Sequence, residues 1–336
     1  LFQVWKSIKG LISTVFRNIQ SKPFTYIKDI MNLSTAIKQM CPTSLPLPNF
    51  RTLKLLGAGV HRGQKHIGVR AAPHLIVEQG GLYKKLYNSN EFAGIDIEYL
   101  GDTTPRRVMR ACVDHQEDFT LVLGGDHSLS RGSVHAASIR NPGIAVVIVD
   151  AHADLNTPES SPSGNSHGMW VRTLLERKHI QPRDVFYLGL RDLDPAETQF
   201  LDKSDINFFT MDTIRRVGIE SVMDELQWRL DHTSRTGYHL SFDIDAITPE
   251  LAPSTGTPVG AGLDIFDVTY MCNFMRDVWG DRFRSMDLVE VNPLIGTGDD
   301  CQKTIRMATH VITSSLIGET RFRYHRKRED TIRFKF

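Results

Sequence analysis

Between residues 51 and 320, short apolar runs alternate with longer amphipathic ones, and the apolar runs lead into carboxylates, histidines or paired glycines. The runs are Leu53–Leu56, Ile95–Leu100, Phe119–Leu123, Ile144–Val149, Val185–Leu190, Ile206–Met211, Tyr238–Phe242 and Ser285–Val289. The run from Ile144 to Val149 is apolar at every position rather than at alternate ones, which suits a strand covered on both faces. Helical spacing fills the intervals. Val222, Leu226 and Leu230 share a face within Ile219–Leu230, and Thr304–Leu316 repeats the pattern and stops just before Gly318. Alternation of this kind predicts an α/β fold with a single doubly wound, mostly parallel eight-stranded sheet flanked by helices.

At 336 residues the chain is long enough for one large α/β domain. A net charge of +1 makes no general demand for nucleic acid or an anionic membrane surface. No apolar stretch approaches the roughly 18 residues of a spanning helix, so no stable membrane span is expected. Cys41, Cys112, Cys272 and Cys301 lack C-x-x-C spacing, which argues against a disulfide framework or a zinc ribbon. Residues 1–50 stand apart as an extension. Positions 1–28 carry Lys6, Lys9, Arg17, Lys22 and Lys28 but no acid, with apolar residues at helical spacing from Leu1 to Ile19. This basic helix reads either as a mitochondrial targeting segment or as a surface or oligomer-contact helix, and the compartment as mitochondrial or cytoplasmic. Pro42, Pro46 and Pro48 mark a linker to the 51–320 domain, and residues 321–336 form a basic, aromatic tail.

In an open α/β sheet, ligands gather at the carboxyl ends of the strands, and the polar motifs of this chain all fall there. Gly124-Gly-Asp-His127 follows one run, Asp150-Ala-His152-Ala-Asp154 the next, and Arg191-Asp-Leu-Asp194 the one after. Asp243-Ile-Asp245 and Glu290 follow the last two. In an extended chain alternate residues share a face, so Asp150, His152 and Asp154 converge, as do Asp243 and Asp245. Alone, Gly124–His127 fits a tight turn and Asp243-Ile-Asp245 a loop or helix cap. All at strand ends in one chain, they read as a metal site. The ligand set is His127, Asp150, His152, Asp154, Asp243 and Asp245. Four carboxylates in one pocket repel without cations, and oxygen-rich ligation with two imidazoles suits two Mn²⁺ ions better than a structural zinc.

With these motifs the chain resembles the ureohydrolases, manganese enzymes that hydrolyse guanidino groups. The matching segments are Gly124-Gly-Asp-His127, Asp150-Ala-His-Ala-Asp154 and Ser241-Phe-Asp243-Ile-Asp245. Within that family it is most similar to the arginases, through Asp154-Leu-Asn156-Thr-Pro, Ser163-Gly-Asn165-Ser-His167, Gly189 to Glu197, Thr255-Gly-Thr257-Pro and Glu290-Val-Asn-Pro293. The resemblance implies hydrolysis of L-arginine to L-ornithine and urea, in arginine metabolism and the urea cycle, by a hydroxide bridging two Mn²⁺ ions. His127, Asp150, Asp154 and Asp243 would hold one ion, and His152, Asp150, Asp243 and Asp245 the other. Asp154 would also carry a proton, His167 would shuttle protons, and Glu290 would pair with the guanidinium. Asn156 and Ser163 would bind the substrate α-carboxylate, and Asp194 its α-amino group. Ser161, Asn165 and Glu197 would assist through water, and Thr257 would support the metal pocket. A homotrimer is also implied, with Arg321 at a contact position.

The chain departs from the arginase pattern in places. Thr248 stands where a third acid is usual, His66 where Arg is frequent, Arg70-Ala-Ala where an acidic pair and Gly are expected, and Phe266 brings an aromatic beside Asp267. The alternatives are an agmatinase or guanidino-acid hydrolase, which lacks the α-carboxylate clamp, and a metal-binding assembly protein without activity.

Overall fold

The eight apolar runs pair edge to edge into one sheet in the computed structural model, which describes residues 52–318 apart from 90, 93, 115–118 and 233–235. The basic N-terminal helix, the tail and the Arg321 contact lie outside the described residues. In chain order the elements are β1 (Leu53–Ala58), α1 (Ala72–Glu78), α2 (Leu82–Asn88), β2 (Ile95–Gly101), α3 (Pro105–Val113), β3 (Phe119–Leu123), α4 (Ser130–Arg140), β4 (Ala145–Val149) and α5 (Trp170–Glu176). There follow β5 (Val185–Leu190), α6 (Pro195–Asp202), β6 (Asn207–Thr210), α7 (Met211–Val217), α8 (Ile219–Asp231), β7 (Tyr238–Asp243), α9 (Ile265–Trp279), β8 (Phe283–Val289) and α10 (Gly298–Leu316).

The strand order is β2-β1-β3-β8-β7-β4-β5-β6, and every neighbouring pair is parallel. β1, β3, β4, β5 and β7 are buried at every position. Alternate residues of one strand feed opposite layers, as the strand repeat requires. Val146 and Ile148 of β4 pack with Trp170, Val171 and Leu174 of α5. Val147 and Val149 join the cluster that holds Leu226 of α8, Met271 of α9 and Ile312 of α10. Two boundaries differ from the sequence expectation for a local reason. α10 begins at Gly298 rather than Thr304, because Thr297 and Asp300 form a reciprocal cap and the first turn is polar. β6 stops at Thr210, whose hydroxyl accepts the Thr213 N–H and opens α7.

β3 and β4 are consecutive in the chain but separated in the sheet by β8 and β7. β1 and β2 extend from β3 to one side, while β5 and β6 extend from β4 to the other. The loops leaving β3 and β4 therefore diverge, and a crevice opens over the carboxyl ends of the four central strands, where such sheets bind ligands.

Candidate metal centre and its cleft

Those four strand ends carry the ligand-type residues. After β3, Asp126 caps the 3-10 turn His127–Leu129, its Oδ1 accepting the Ser128 N–H at 3.0 Å, while its Oδ2 accepts the Gly63 N–H at 2.7 Å. After β4, Asp150 Oδ1 accepts the His152 N–H at 2.7 Å; at the end of β7, Asp243 Oδ1 accepts the Asp245 N–H at 2.9 Å. Asp150 and Asp243 each use one oxygen to shape their own turn and present the other to His127. The residues gather in two groups that share Asp150 rather than each motif facing one point, and turns rather than an extended chain bring them there: Asp245 lies in a 3-10 turn, and Asp154 has φ 53°. Glu290 also sits in the left-handed region, at φ 65°, a sparsely populated conformation for side-chain-bearing residues.

His127 Nδ1 lies 3.1 Å from Oδ2 of each of Asp150, Asp154 and Asp243. His127 Nδ1, Asp150 Oδ2 and Asp154 Oδ2 are buried and have no hydrogen-bond partner. Buried polar atoms are normally paired, so three that face one point fit a cation. A second group shares Asp150: His152 Nδ1 is 3.1 Å from Asp245 Oδ2 and 3.6 Å from Asp150 Oδ1. The donor set, four carboxylates and two imidazoles without a thiolate, fits hard or borderline divalent ions such as Mn²⁺.

The electrostatics agree. Burial alone would lower the His127 and His152 pKa values, yet contact with the carboxylates drives both up. Burial raises those of Asp154 and Asp243, helped by the neighbouring carboxylate Asp150 and, for Asp243, Asp245. Asp150 runs the other way: burial would raise it, but His127 and His152 hold it well below the usual carboxylate range. His167 is pushed up to about 9: against the burial penalty, Glu290 Oε1, 3.3 Å from its Nδ1, favours the charged ring.

A cleft enclosing about 700 Å³, its open mouth included, rises over this floor. His152, Asp154, Asn156, Ser161, Ser163 and His167 line it, with Asp194, Glu197, Asp243, Asp245 and Thr257. Asn156 Nδ2 donates to Asp194 Oδ2 at 2.7 Å, joining the residues expected at the two amino-acid ends of a substrate. Glu197 is committed to backbone: its Oε1 accepts the Leu155 N–H at 2.9 Å and its Oε2 the Asp194 N–H at 3.0 Å. Burial pushes its pKa up to about 7. Thr257 Oγ1 donates to Asp245 Oδ2 at 2.9 Å. Ser161 and Ser163 shape their loop by accepting the Gly164 and Asn165 N–H groups. Asn165 and Glu290 do not line the cleft. Glu290 is 1% exposed, its oxygens engaged by the His127 N–H at 2.8 Å and by Gln64 Nε2 at 2.5 Å. Among the departures, His66 and Arg70 are exposed, and the Thr248 hydroxyl bonds the Glu250 carboxylate.

Several residues that the motif reading passed over support the centre. His127 Nε2 is 3.0 Å from Ser241 Oγ, which donates to Asp287 Oδ1 at 2.7 Å; Asp287 Oδ2 accepts from Ser133 and lies 3.1 Å from His239 Nε2. Asp192 Oδ2 lies 3.6 Å from His152 Nε2. Gln64 reaches Glu290 from the loop after β1, with no local sequence signal. Asp287 and His239 did leave one: polar residues at alternate positions, Ser285/Asp287 about Met286 and His239/Ser241 about Leu240.

The Arginase family matches residues 51–318. The chain is 35% identical to a non-hepatic arginase of Xenopus laevis, covering 88% of this chain and 91% of that protein. It is 34% identical to the mitochondrial arginase-2 of Mus musculus, covering 80% and 86%. The solved Entamoeba histolytica arginase in complex with L-ornithine superposes with a TM-score of 0.73 at 26% identity, over 80% of this chain and 99% of that one.

Proposed function

The chain belongs to the arginase family, and we propose that it hydrolyses L-arginine to L-ornithine and urea using two Mn²⁺ ions, with residues 51–320 as the catalytic domain. His127, Asp150, Asp154 and Asp243 would hold one ion, and His152, Asp150, Asp243 and Asp245 the other. Bound there, the ions would acidify a shared water enough to supply hydroxide to the guanidinium carbon near neutral pH. Asp154 takes the remaining proton of the attacking hydroxide and passes it to the departing amine. His167, on the cleft wall and charged through Glu290, returns a proton from solvent. Asn156 and Ser163 receive the α-carboxylate, and Asp194 the α-amino group; Ser161, Asn165 and Glu197 would assist through water. For Glu290 to pair with the guanidinium, the Gln64 amide must yield its place at Oε2.

The observation that carries this reading is the set of three buried, unpaired atoms on His127, Asp150 and Asp154, facing one point below a wall that presents Asn156, Ser163 and Asp194. Purified protein with Mn²⁺ should release urea from L-arginine faster than from agmatine. Turnover no higher than that of Asp154→Ala, or faster turnover of agmatine, would overturn it. The same reading assigns a homotrimer, refuted by a monomer-sized species in light scattering, and a mitochondrial or cytoplasmic location.

A further inference from the structure

Arg191, the first residue after β5, spends its guanidinium on main-chain carbonyls. Nη2 donates to Asp245 O at 2.6 Å and Val259 O at 2.8 Å, Nε to Gly260 O at 3.0 Å, and Nη1 to Gly189 O at 3.3 Å. These oxygens belong to three segments: the end of β5, the turn carrying Asp245, and the loop 257–262. A rigid planar fork with donors on three nitrogens suits such a set, whereas a lysine ammonium is a single point charge. The loop packs flush against the guanidinium, since a Cβ on Gly262 would lie 2.7 Å from Nη2. The same loop returns a second tie through Thr257 Oγ1 to Asp245 Oδ2 at 2.9 Å. Asp245 is therefore gripped at its carbonyl by Arg191 and at its carboxylate by Thr257. The opposite half of the centre is held by other groups, His127 by Ser241 and by Glu290.

We infer that Arg191 is the positioning residue of the His152–Asp245 half of the centre, fixing Asp245 and the 257–262 loop together, so that its loss weakens one bound ion and spares the other. The inference rests on the two-metal reading above. All four acceptors are backbone oxygens, so the contribution is geometric, and charge alone does not replace it.

The test uses the full chain, stripped by chelator and titrated with Mn²⁺ while free Mn²⁺ is followed by electron paramagnetic resonance. Steady-state kinetics on arginine are measured alongside. The wild-type chain should bind two ions. Arg191→Met and Arg191→Lys should each keep one ion at wild-type affinity and bind the second about 10–100-fold more weakly, the usual effect of removing a group that orients a metal ligand. In both, kcat should fall while KM changes little, because Asn156 and Ser163 stand on another loop. Gly262→Ala keeps the arginine but sets a methyl group 2.7 Å from Nη2 and equally close to the Ala246 carbonyl and the Ile247 backbone, so it strains the joint between the 257–262 loop and the Asp245 turn from the loop side and should give the same selective loss even if the Arg191 variants fail to fold. Two ions retained at wild-type affinity, equal weakening of both, or rescue by lysine would overturn the inference. Two ions on the wild-type chain without urea release would overturn the arginase reading and leave the Arg191 clamp standing. A wild-type chain binding fewer than two overturns both.

Discussion

Gly124 and Gly125 are neighbours, yet a methyl group added at each meets different things. On Gly124 it would meet the ends of side chains, Val289 Cγ1 at 2.8 Å and Leu129 Cδ1 at 3.0 Å, which can rotate away. On Gly125 it would lie 1.8 Å from the Val60 carbonyl oxygen, where 3.0 Å is the practical floor, so backbone must part by at least 1.2 Å. That movement breaks the Asp126 N–H bond to the same oxygen, 2.8 Å long, and leaves buried groups unpaired. Overpacking at Gly124 should cost about 1–2 kcal/mol. At Gly125 the same term adds to the ~1–3 kcal/mol of unpaired backbone groups, for about 2–5 kcal/mol in total. In urea melts the Gly125→Ala midpoint should fall ~1 M or more, at ~3 kcal/mol per M, and that of Gly124→Ala about half as far. Val60 begins the loop whose Gly63 and Gln64 hold Asp126 and Glu290, so Gly125→Ala should also depress urea release. Equal midpoints for the two variants would refute the backbone-clash reasoning.

Glu197 should make stability depend on pH. Burial raises its pKa from 4.5 to about 7, so its stabilisation is complete below about pH 4.5 and is lost as pH rises through about 7. The gap of 2.5 corresponds to about 3 kcal/mol; Glu197→Gln should flatten that part of the profile, and an unchanged slope in denaturant melts from pH 5 to 8 would count against it. Chelation should lower the melting temperature and added Mn²⁺ restore it, by about 4 kcal/mol per site at a thousandfold excess over Kd. A melting temperature indifferent to chelator would be incompatible with a cation at the carboxylate cluster.

The inner strands β3, β4 and β5 were legible in the sequence because they are buried on both faces and so appear as nearly unbroken apolar runs. The edge strand β2, exposed at several positions, was visible only through alternation. The cluster of candidate ligands was legible because a cation site calls for those residue types at the strand ends, even though the geometry that unites them is made by turns. Arg191 lay within a quoted motif, but nothing in one dimension distinguishes an arginine that binds four carbonyls from one facing solvent. Gln64 pairs with a residue 226 positions away, a contact that only the folded chain defines.

The network behind His127 explains how one nitrogen comes to face three carboxylates. For Nδ1 to offer a lone pair to a cation, Nε2 must carry the proton and donate it to Ser241 Oγ. The Ser241 proton is in turn committed to Asp287 Oδ1, which fixes the direction of the chain. Burial would raise the Asp287 pKa, but the hydrogen bond and charge of His239 hold it below its ordinary value, so it stays an acceptor. Asp287 and His239 are both 0% exposed, and burying a carboxylate costs several kcal/mol before its hydrogen bonds return anything. Apolar residues of similar size would keep the sheet at least as stable. What they would not do is set the tautomer and orientation of His127, and that is the role left to explain a carboxylate and an imidazole sealed beneath the centre.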